Sequence, residues 1–383
     1  MKILMTSDTF LPEIGGAEIH VQNLIEQLSV NHEVILLTTE TQASDFDHRY
    51  KVIRTAWGKR HIPKILKILW QESKDVDVIH CHYSYKLASL AGFIGRIRRI
   101  PVIVTLHGLG TLDQAHATPF YKWVHSIYRY LSLNFCTHII STSQDLADVA
   151  YKHVSPKKIS IILNGYDENL FNPNIVVSDD LVDKYKGKKI ILTVRRLVPK
   201  NGIHFLVESL PFVIEKIPNI IHIMAGEGRM RDYIEKRVGD LNVEKHVEML
   251  GSVDNKNIPQ LLKIADVIVF PSTAESSSIA CAEAMAMGKL IVSSRVGGLI
   301  ELLGENNERG TLVDLVPWTG SDYAAPLTLD ESKYQALAQA ITDAIMTPRV
   351  GKEKLIASYA KENLSWPIIS RKTEQIYRKY TKR

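Results

Sequence analysis

The stretch Val102-Ile103-Val104-Thr105-Leu106-His107-Gly108 joins an apolar run to two residues of different chemistry. Because Val102–Leu106 shows no strict polar alternation, it predicts a strand buried on both faces, as in a parallel sheet covered by helices. His107-Gly108 follows at the carboxyl end of that strand, where the ligands of such sheets bind. A histidine there can be structural or functional, and the pattern leaves both interpretations open.

Similar apolar runs recur in both halves of the chain, with helical segments between them. The predicted strands of the first half are Ile3–Thr6, Val34–Thr38, Val76–Cys81, Val102–Leu106 and His138–Ser141. Those of the second half are Ile190–Val194, Ile220–Ala225, Val267–Phe270 and Leu290–Val292. Helices are predicted along Val21–Leu28, where apolar residues follow the spacing of one helix face, and at Ala280–Met287. Two successive series of this kind predict an α/β protein with two doubly wound, Rossmann-like domains facing each other across a cleft.

The predicted domains are residues 1–170 and 171–365, because 383 residues are too many for one ordinary core. The polar, turn-rich stretch before Lys189 is predicted to connect them. A helix over residues 366–383 has apolar positions at helical spacing and is predicted to pack back on the first domain.

The composition indicates an ordinary globular protein in a reducing compartment. Cys81, Cys136 and Cys281 lie far apart and form no disulfide framework. A zinc interpretation of His80-Cys81-His82 lacks a second ligand pair at usable spacing. The sequence shows neither a signal peptide nor an apolar run of roughly 20 residues, so the predicted location is cytoplasmic, or peripheral on the inner face of the cell membrane.

A basic segment, Lys51–Trp70, holds six lysines and arginines and no acid. Within it Ile62, Ile65, Leu66 and Leu69 share one helical face. That face can lie on an anionic membrane, or it can pack into the core while the opposite side of the helix faces solvent. The sequence leaves both possibilities open.

Cations follow the first predicted strand of the second half. Arg195, Arg196 and Lys200 stand at its carboxyl end and suit a diphosphate, although a solvated basic loop would look the same. Gly226 and Gly228 follow the next strand and would let backbone approach a base or ribose. In the first half, Gly15-Gly16 begins a predicted helix, where it can bind an anion or form a flexible turn.

Two carboxylates frame the predicted helix near residue 280. Glu275 precedes it, Ser276–Ser278 are predicted on its first turn where free N–H groups favour phosphate, and Glu283 lies about two turns further on. The two acceptor oxygens of a carboxylate match the vicinal hydroxyls of a ribose or hexose. The alternative, an exposed acidic face, fits poorly because Ala282, Ala284 and Met285 make the helix apolar.

With these motifs the sequence resembles the family 4 glycosyltransferases of the GT-B fold, which are retaining enzymes that need no bound metal. The resemblance covers nearly the whole chain. The motifs that carry it are Phe10-Leu11-Pro12, Gly15-Gly16-Ala17-Glu18, His107-Gly108, Asn164-Gly165-Tyr166-Asp167, Arg196-Leu197-Val198-Pro199, Gly226-Glu227-Gly228, Glu275 with Glu283, and Gly297-Gly298 with Glu301.

The resemblance implies a role for each matching residue. Gly16 and the amides near Ser278 and Ile279 would meet the phosphates, Arg196 the diphosphate, Glu275 the hydroxyls of the transferred sugar and Glu283 the ribose, with His107 near the reacting sugar. The predicted catalytic residues are His107, Arg196, Lys200 and Glu275. The predicted donor-binding residues are Gly15, Gly16, Arg195, Gly226, Gly228, Ser278, Ile279 and Glu283.

The chain departs from the family pattern Gly-Arg-Leu-x-x-x-Lys-Gly at two positions. Arg195 replaces the glycine, and Asn201 replaces the lysine that serves as the second phosphate cation. Either Lys200, with its flexible stem, or Arg195 can supply the missing charge.

The predicted activity is retaining transfer of a hexose from a UDP- or GDP-linked donor to a hydroxyl of a glycan or lipid-linked acceptor. No cofactor, metal or nucleic acid is expected; the triplet Asp75-Val76-Asp77 precedes its strand, at the sheet end away from ligands. The alternatives are a non-catalytic sugar-nucleotide or lipid-binding protein, a GT-B epimerase or a phosphorylase. An NAD oxidoreductase is disfavoured because GxGxxG is absent.

Overall fold

In the computed structural model, the chain divides into two compact units, each containing one parallel sheet. The first unit comprises Met1–Gly165 with Trp366–Arg383, and the second comprises Tyr166–Ser365. The structure describes residues 1–12, 15–40, 49–83, 85–108, 119–315, 326–347 and 351–381.

The first unit holds a seven-stranded sheet of order β3-β2-β1-β4-β5-β6-β7. Its strands are β1 (Lys2–Ser7), β2 (Glu33–Thr39), β3 (Lys51–Thr55), β4 (Val78–His82), β5 (Val102–Leu106), β6 (His138–Ser141) and β7 (Ile159–Ile161). Its helices are α1 (Gly16–Leu28), α2 (Ile62–Glu72), α3 (Lys86–Arg98), α4 (Pro119–Phe135) and α5 (Gln144–Tyr151). All strand pairs are parallel, and the strand order reverses between β1 and β4.

The second unit holds a six-stranded parallel sheet of order β10-β9-β8-β11-β12-β13. Its strands are β8 (Lys189–Val194), β9 (Ile220–Ala225), β10 (Val247–Gly251), β11 (Val267–Phe270), β12 (Ile291–Ser294) and β13 (Thr311–Val313). Its helices are α6 (Asp179–Lys184), α7 (Ile203–Lys216), α8 (Arg231–Asp240), α9 (Ile258–Ile264), α10 (Ile279–Ala286), α11 (Gly298–Leu303), α12 (Glu331–Met346) and α13 (Lys352–Asn363). The strand order reverses between β8 and β11.

The cores follow from the apolar strands. β1, β4 and β5 are buried on both faces, and so are the middle residues of β8 and β9. On α1 the predicted apolar face is the buried one. The last helix, α14 (Trp366–Thr381), belongs to the first unit, where Tyr377 is fully buried and its hydroxyl lies 2.5 Å from Nδ1 of His80. None of the described helices has both the length and the apolar character that crossing a membrane requires.

Two local predictions need correction. The segment before Lys189 is not wholly irregular, since Asp179 and Asp180 begin the short helix α6. On α2, Ile65 and Leu69 are buried in the core of the first unit, with Leu66 and Ile68 packed against it. The apolar face of this helix therefore points into the protein, and the membrane interpretation of that face is wrong.

Candidate functional site

The loops after β8 and β11 meet at the point where the strand order of the second sheet reverses. The backbone N–H of Thr273 donates to the carbonyl of Lys200 at 2.8 Å, which ties the two loops together. Gly202 has φ +66°, and a Cβ there would lie 1.8 Å from the carbonyl oxygen of Pro271. Only glycine allows this approach. Open α/β sheets bind ligands beyond the carboxyl ends of their strands at such a reversal.

Arg195 is the centre of the polar contacts in this site. Its side chain is 10% exposed and forms an ion pair with Glu275, which is 15% exposed. Nη2 of the same guanidinium donates to Oδ1 of Asn201 at 3.1 Å, and Nη1 donates to Oγ of Ser278 at 3.4 Å. Arg195 thus joins both loops and the start of α10.

Asn201 is the residue whose role the sequence did not predict. It accepts from Arg195, and its amide nitrogen donates to the carbonyl of Arg196 at 2.7 Å. It therefore orients the guanidinium of Arg195 rather than carrying charge itself. The signal in the sequence was the paired departure from the family pattern at positions 195 and 201.

Arg196 and Lys200 supply further positive charge. Arg196 is exposed, and within the described residues neither its side chain nor that of Lys200 has a hydrogen-bond or ion-pair partner. Three cations therefore lie on the loop after β8, and only the charge of Arg195 is neutralised by a carboxylate. Such an arrangement attracts a doubly charged anion.

The start of α10 faces this loop. Oγ of Ser278 accepts from the N–H of Cys281 at 3.2 Å, so Ser278 is the N-cap and the helix begins at Ile279. The prediction that Ser276–Ser278 form the first turn is therefore wrong, because the serine side chain ends the preceding loop by capping the helix. The cap takes up the N–H of Cys281, and the amides before it in the first turn are the groups that can donate to an anion.

Glu283 lies on α10 a turn beyond its start. Burial raises the pKa of Glu283 to about 8, and the negative charge of Asp167 adds to the rise. The carboxyl group is therefore mostly protonated at neutral pH. Asp167 belongs to the same unit as Glu283. The sequence had identified it only as the last residue of the motif Asn164-Gly165-Tyr166-Asp167.

Gly226 and Gly228 have a structural reason to be glycine. A Cβ on Gly226 would lie 1.9 Å from the carbonyl oxygen of Arg195, and one on Gly228 would lie 2.4 Å from that of Leu197. The loop after β9 thus lies directly against the loop after β8, which carries Arg195 and Arg196. Contact of these two glycines with a base or ribose stays a prediction.

Gly15, Gly16 and His107 belong to the first unit. Gly15 is the N-cap of α1, and a Cβ on Gly16 would meet nothing within 4 Å. Glu18 on the first turn accepts a hydrogen bond from Thr9. The start of α1 thus has room for an approaching group, and its predicted phosphate contact stays a prediction.

His107 lies in a cluster of histidines. Its Nε2 is 2.8 Å from Nδ1 of His82, and its ring centroid is 4.8 Å from that of His20. Burial lowers the pKa of His20 to about 4 and the pKa values of His82 and His107 well below the ordinary range of imidazole, so all three are neutral at pH 7.

The histidines that lie together differ from His80 and His82, the pair that the sequence suggested as zinc ligands. His80 bonds Tyr377 and Thr105, whereas His20, His82 and His107 offer nitrogen atoms within 4.8 Å of one another, close enough to suit a metal ion. His20 was missed although it lies on the buried face of α1, four residues before Leu24.

Two family descriptions match the chain. "Glycosyltransferase Family 4" matches residues 14–170, and "Glycosyl transferases group 1" matches residues 179–350. An uncharacterized glycosyltransferase of Methanocaldococcus jannaschii is 30% identical over 334 residues, which cover 79% of this chain and 83% of the relative. One subunit of the phosphatidylinositol N-acetylglucosaminyltransferase of Arabidopsis thaliana is 26% identical, covering 98% of this chain and 81% of the relative.

A solved structure shows the same fold. The Anabaena protein HepE, crystallised in complex with UDP, superposes with a TM-score of 0.77 at 21% identity, covering 98% of this chain and 99% of that one. Two doubly wound parallel sheets, together with these matches, define a glycosyltransferase of the GT-B fold. The chain belongs to family 4 of the glycosyltransferases.

Proposed function

We propose that this protein transfers a hexose from a nucleoside-diphosphate sugar to a hydroxyl of a lipid or lipid-linked acceptor, with retention of anomeric configuration and without a metal ion. The observation that carries the proposal is the group of cations on the loop after β8, which Arg195 joins to the start of α10. Arg195, Arg196 and Lys200 bind the diphosphate, and Glu275 binds the hydroxyls of the sugar. Donor binding is thus assigned to the second unit and the acceptor side, with His107, to the first.

The chemistry requires charge stabilisation more than a strong base. When the bond between the anomeric carbon and the diphosphate breaks, negative charge develops on the leaving oxygen, and Arg196 stabilises it. The acceptor hydroxyl attacks the same face of the sugar, and the departing phosphate takes its proton. The three side-chain cations supply the charge that a divalent metal supplies in other transferases.

The lipid acceptor is supported by the relatives. The name of the Arabidopsis relative specifies phosphatidylinositol, a lipid, for that protein. UDP is the first donor carrier to test, since UDP is bound in the Anabaena structure.

A nucleotide panel tests donor binding. We expect UDP or GDP, alone or carrying a hexose, to raise the melting temperature, whereas ADP and CMP will not. Ligand at 100-fold its dissociation constant stabilises a protein by about 2.7 kcal/mol, which thermal-shift measurements resolve easily. A melting temperature unmoved by every nucleotide would contradict the proposal. Slow release of the nucleotide from the sugar in the absence of acceptor would exclude a purely binding protein.

Nucleotide binding should also release a proton from Glu283. With its pKa at about 8, the carboxyl group is mostly protonated at pH 7. Ribose hydroxyls that donate to it favour the ionised form and lower its pKa, so the nucleotide binds more tightly as pH rises towards about 8. Calorimetry at pH 7 in buffers of different ionisation enthalpy should show proton release for the wild type and for Glu275→Gln, and none for Glu283→Gln. Equal release by wild type and Glu283→Gln would show that Glu283 is not the ribose ligand.

A further inference from the structure

Helix α4 presents an apolar face to solvent. Trp123, Ile127 and Tyr130 follow helical spacing along it and are 62%, 40% and 64% exposed. The opposite side buries His125 at 4% exposure and Ser132 completely. A helix on the surface of a globular protein ordinarily shows the reverse polarity. Exposed apolar stripes of this kind mark interaction sites.

Helix α3 extends this face. Its exposed residues Phe93, Arg96 and Ile97 are also at helical spacing. The two helices pack side by side in the same direction. The ring of Tyr85, directly before α3, stacks on that of His125 in the first half of α4 with centroids 4.5 Å apart, and Gly92 in the middle of α3 lies directly against Phe135 at the end of α4.

The end of α2 adds a further aromatic group. Trp70 is exposed, the guanidinium of Arg98 lies 3.9 Å from the centroid of its ring, and the same guanidinium donates to its carbonyl at 2.9 Å. These contacts hold the end of α2 against the end of α3. We call the resulting surface the aromatic face, and it comprises Trp70, Phe93, Ile97, Trp123, Ile127 and Tyr130.

The charge around the aromatic face is predominantly positive. Neither α3 nor α4 contains an acidic residue, and from Val78 to Gln144 the sequence has six lysines and arginines and one acid, Asp113. On α2, Glu72 is the one acid, and it is ion-paired with Lys51. The basic side chains Lys64, Lys67 and Arg96 are exposed.

This combination suits an anionic lipid surface. Tryptophan and tyrosine favour the boundary between lipid headgroups and acyl chains, and lysine and arginine bind the acidic headgroups beside them. A second copy of the chain fits poorly, because a twofold interface places the same patch on both partners and would bring arginine against arginine.

We propose that the aromatic face is the membrane-docking surface of this protein, binding bilayers that contain acidic phospholipids. This docking surface rests on the proposed function and its lipid acceptor. Docking through the first unit would place the enzyme at the membrane, where lipid acceptors lie. The face differs from the apolar side of α2, which is buried.

Vesicle binding tests the proposal. Vesicles of phosphatidylcholine alone and of equal amounts of phosphatidylcholine and phosphatidylglycerol are sedimented with the purified full chain at low and high salt. We expect binding to the acidic vesicles, weakened by salt. Insertion should shift tryptophan emission to the blue, and Trp123→Phe together with Trp70→Phe should remove most of that shift.

The decisive variant replaces Trp123, Ile127 and Tyr130 by serine. We expect it to bind acidic vesicles at least tenfold more weakly, since the apolar area no longer enters the bilayer. The matched control replaces Val176, Met346 and Leu355, which are exposed apolar residues of the second unit, and should bind like the wild type. Equal binding by both variants would overturn the proposal.

A charge variant keeps the test valid if the serine variant folds poorly. Lys67→Glu with Arg96→Glu should lower binding by roughly fivefold or more for each charge removed, whereas Lys236→Glu with Lys245→Glu in the second unit should not. Absence of vesicle binding together with dimers that the serine substitutions dissociate would assign the face to self-association instead and sink the lipid proposal.

The nucleotide panel separates this proposal from the proposed function. A wild type that binds acidic vesicles through the aromatic face but binds no sugar nucleotide would refute the proposed function alone. One that binds UDP but no vesicle would refute the docking surface alone. The serine variant should retain nucleotide-induced stabilisation, because its three substitutions belong to the first unit and the proposed donor-binding residues around α10 belong to the second.

Discussion

Arg196→Ala should lower kcat by about 100-fold while changing KM much less. Arg196 is exposed and forms no ion pair with any carboxylate in the part of the chain that the structure describes, so its charge is available to a ligand. Charge on the leaving diphosphate grows as the sugar bond breaks, and the guanidinium stabilises that charge most in the transition state. Initial rates of nucleotide release, measured over a range of donor concentrations with acceptor or water, separate kcat from KM.

The control for this variant is Arg371→Ala. Arg371 is an exposed arginine on α14 of the first unit, so its loss removes the same charge elsewhere and should leave kcat unchanged. An Arg196→Ala enzyme with wild-type kcat, or one in which KM alone rises, would show that Arg196 contributes only ordinary ground-state binding. Its role would then pass to another cation of the loop.

The nine central strands were predictable from the sequence, and the four edge strands were not. β3 and β7 form the edges of the first sheet, and β10 and β13 form the edges of the second. An inner strand is covered on both faces and reads as a continuous run of valine and isoleucine. The edge strands are short or combine polar with apolar residues. Most of their residues are only partly buried, as along β3 and β10. Their place in a sheet depends on a neighbour that local pattern does not reveal.

The helices α2 and α4 show a second limit. Both carry an apolar stripe at helical spacing, and the sequence does not say which side of a helix faces the sheet. On α2 the stripe with Ile65 and Leu69 faces the core. On α4 the core instead takes His125, Ser132 and Leu133, so Trp123 and Tyr130 stay outside. Tertiary packing, which hydrophobic periodicity does not encode, decides between these outcomes.

At the proposed donor site the sequence predicted which residues lie together, but not how their side chains pair. The motifs predicted Glu275 beside a helix start and cations after β8, both of which are present in the structure. The presence of Arg195 and Asn201, where the family pattern has glycine and lysine, was visible in the sequence only as two separate departures from that pattern. Because the two residues are joined by a hydrogen bond across a turn, only the folded loop reveals that they act together.

Arg195→Gly and Asn201→Lys should each impair the enzyme, and the two together should restore it. Arg195→Gly leaves the partly buried carboxylate of Glu275 without its cation, and an unsatisfied group of this kind costs about 2 kcal/mol of stability. It also removes a cation beside the phosphate site, so kcat/KM should fall about 100-fold. Asn201→Lys alone places an ammonium against the guanidinium and removes the acceptor that orients it.

In the double variant a lysine ammonium takes over the charge of the guanidinium, and kcat/KM should return to within about tenfold of the wild type, because residues in contact couple strongly in such a cycle. Lys200→Ala provides the discriminating control. If Arg195 is the second phosphate cation, this substitution leaves most of the activity, whereas a loss as large as that of Arg195→Gly assigns the role to Lys200. A double variant no better than its worse single parent would mean that Asn201 and Arg195 do not exchange function, and that the guanidinium is needed for a geometry that an ammonium does not reproduce.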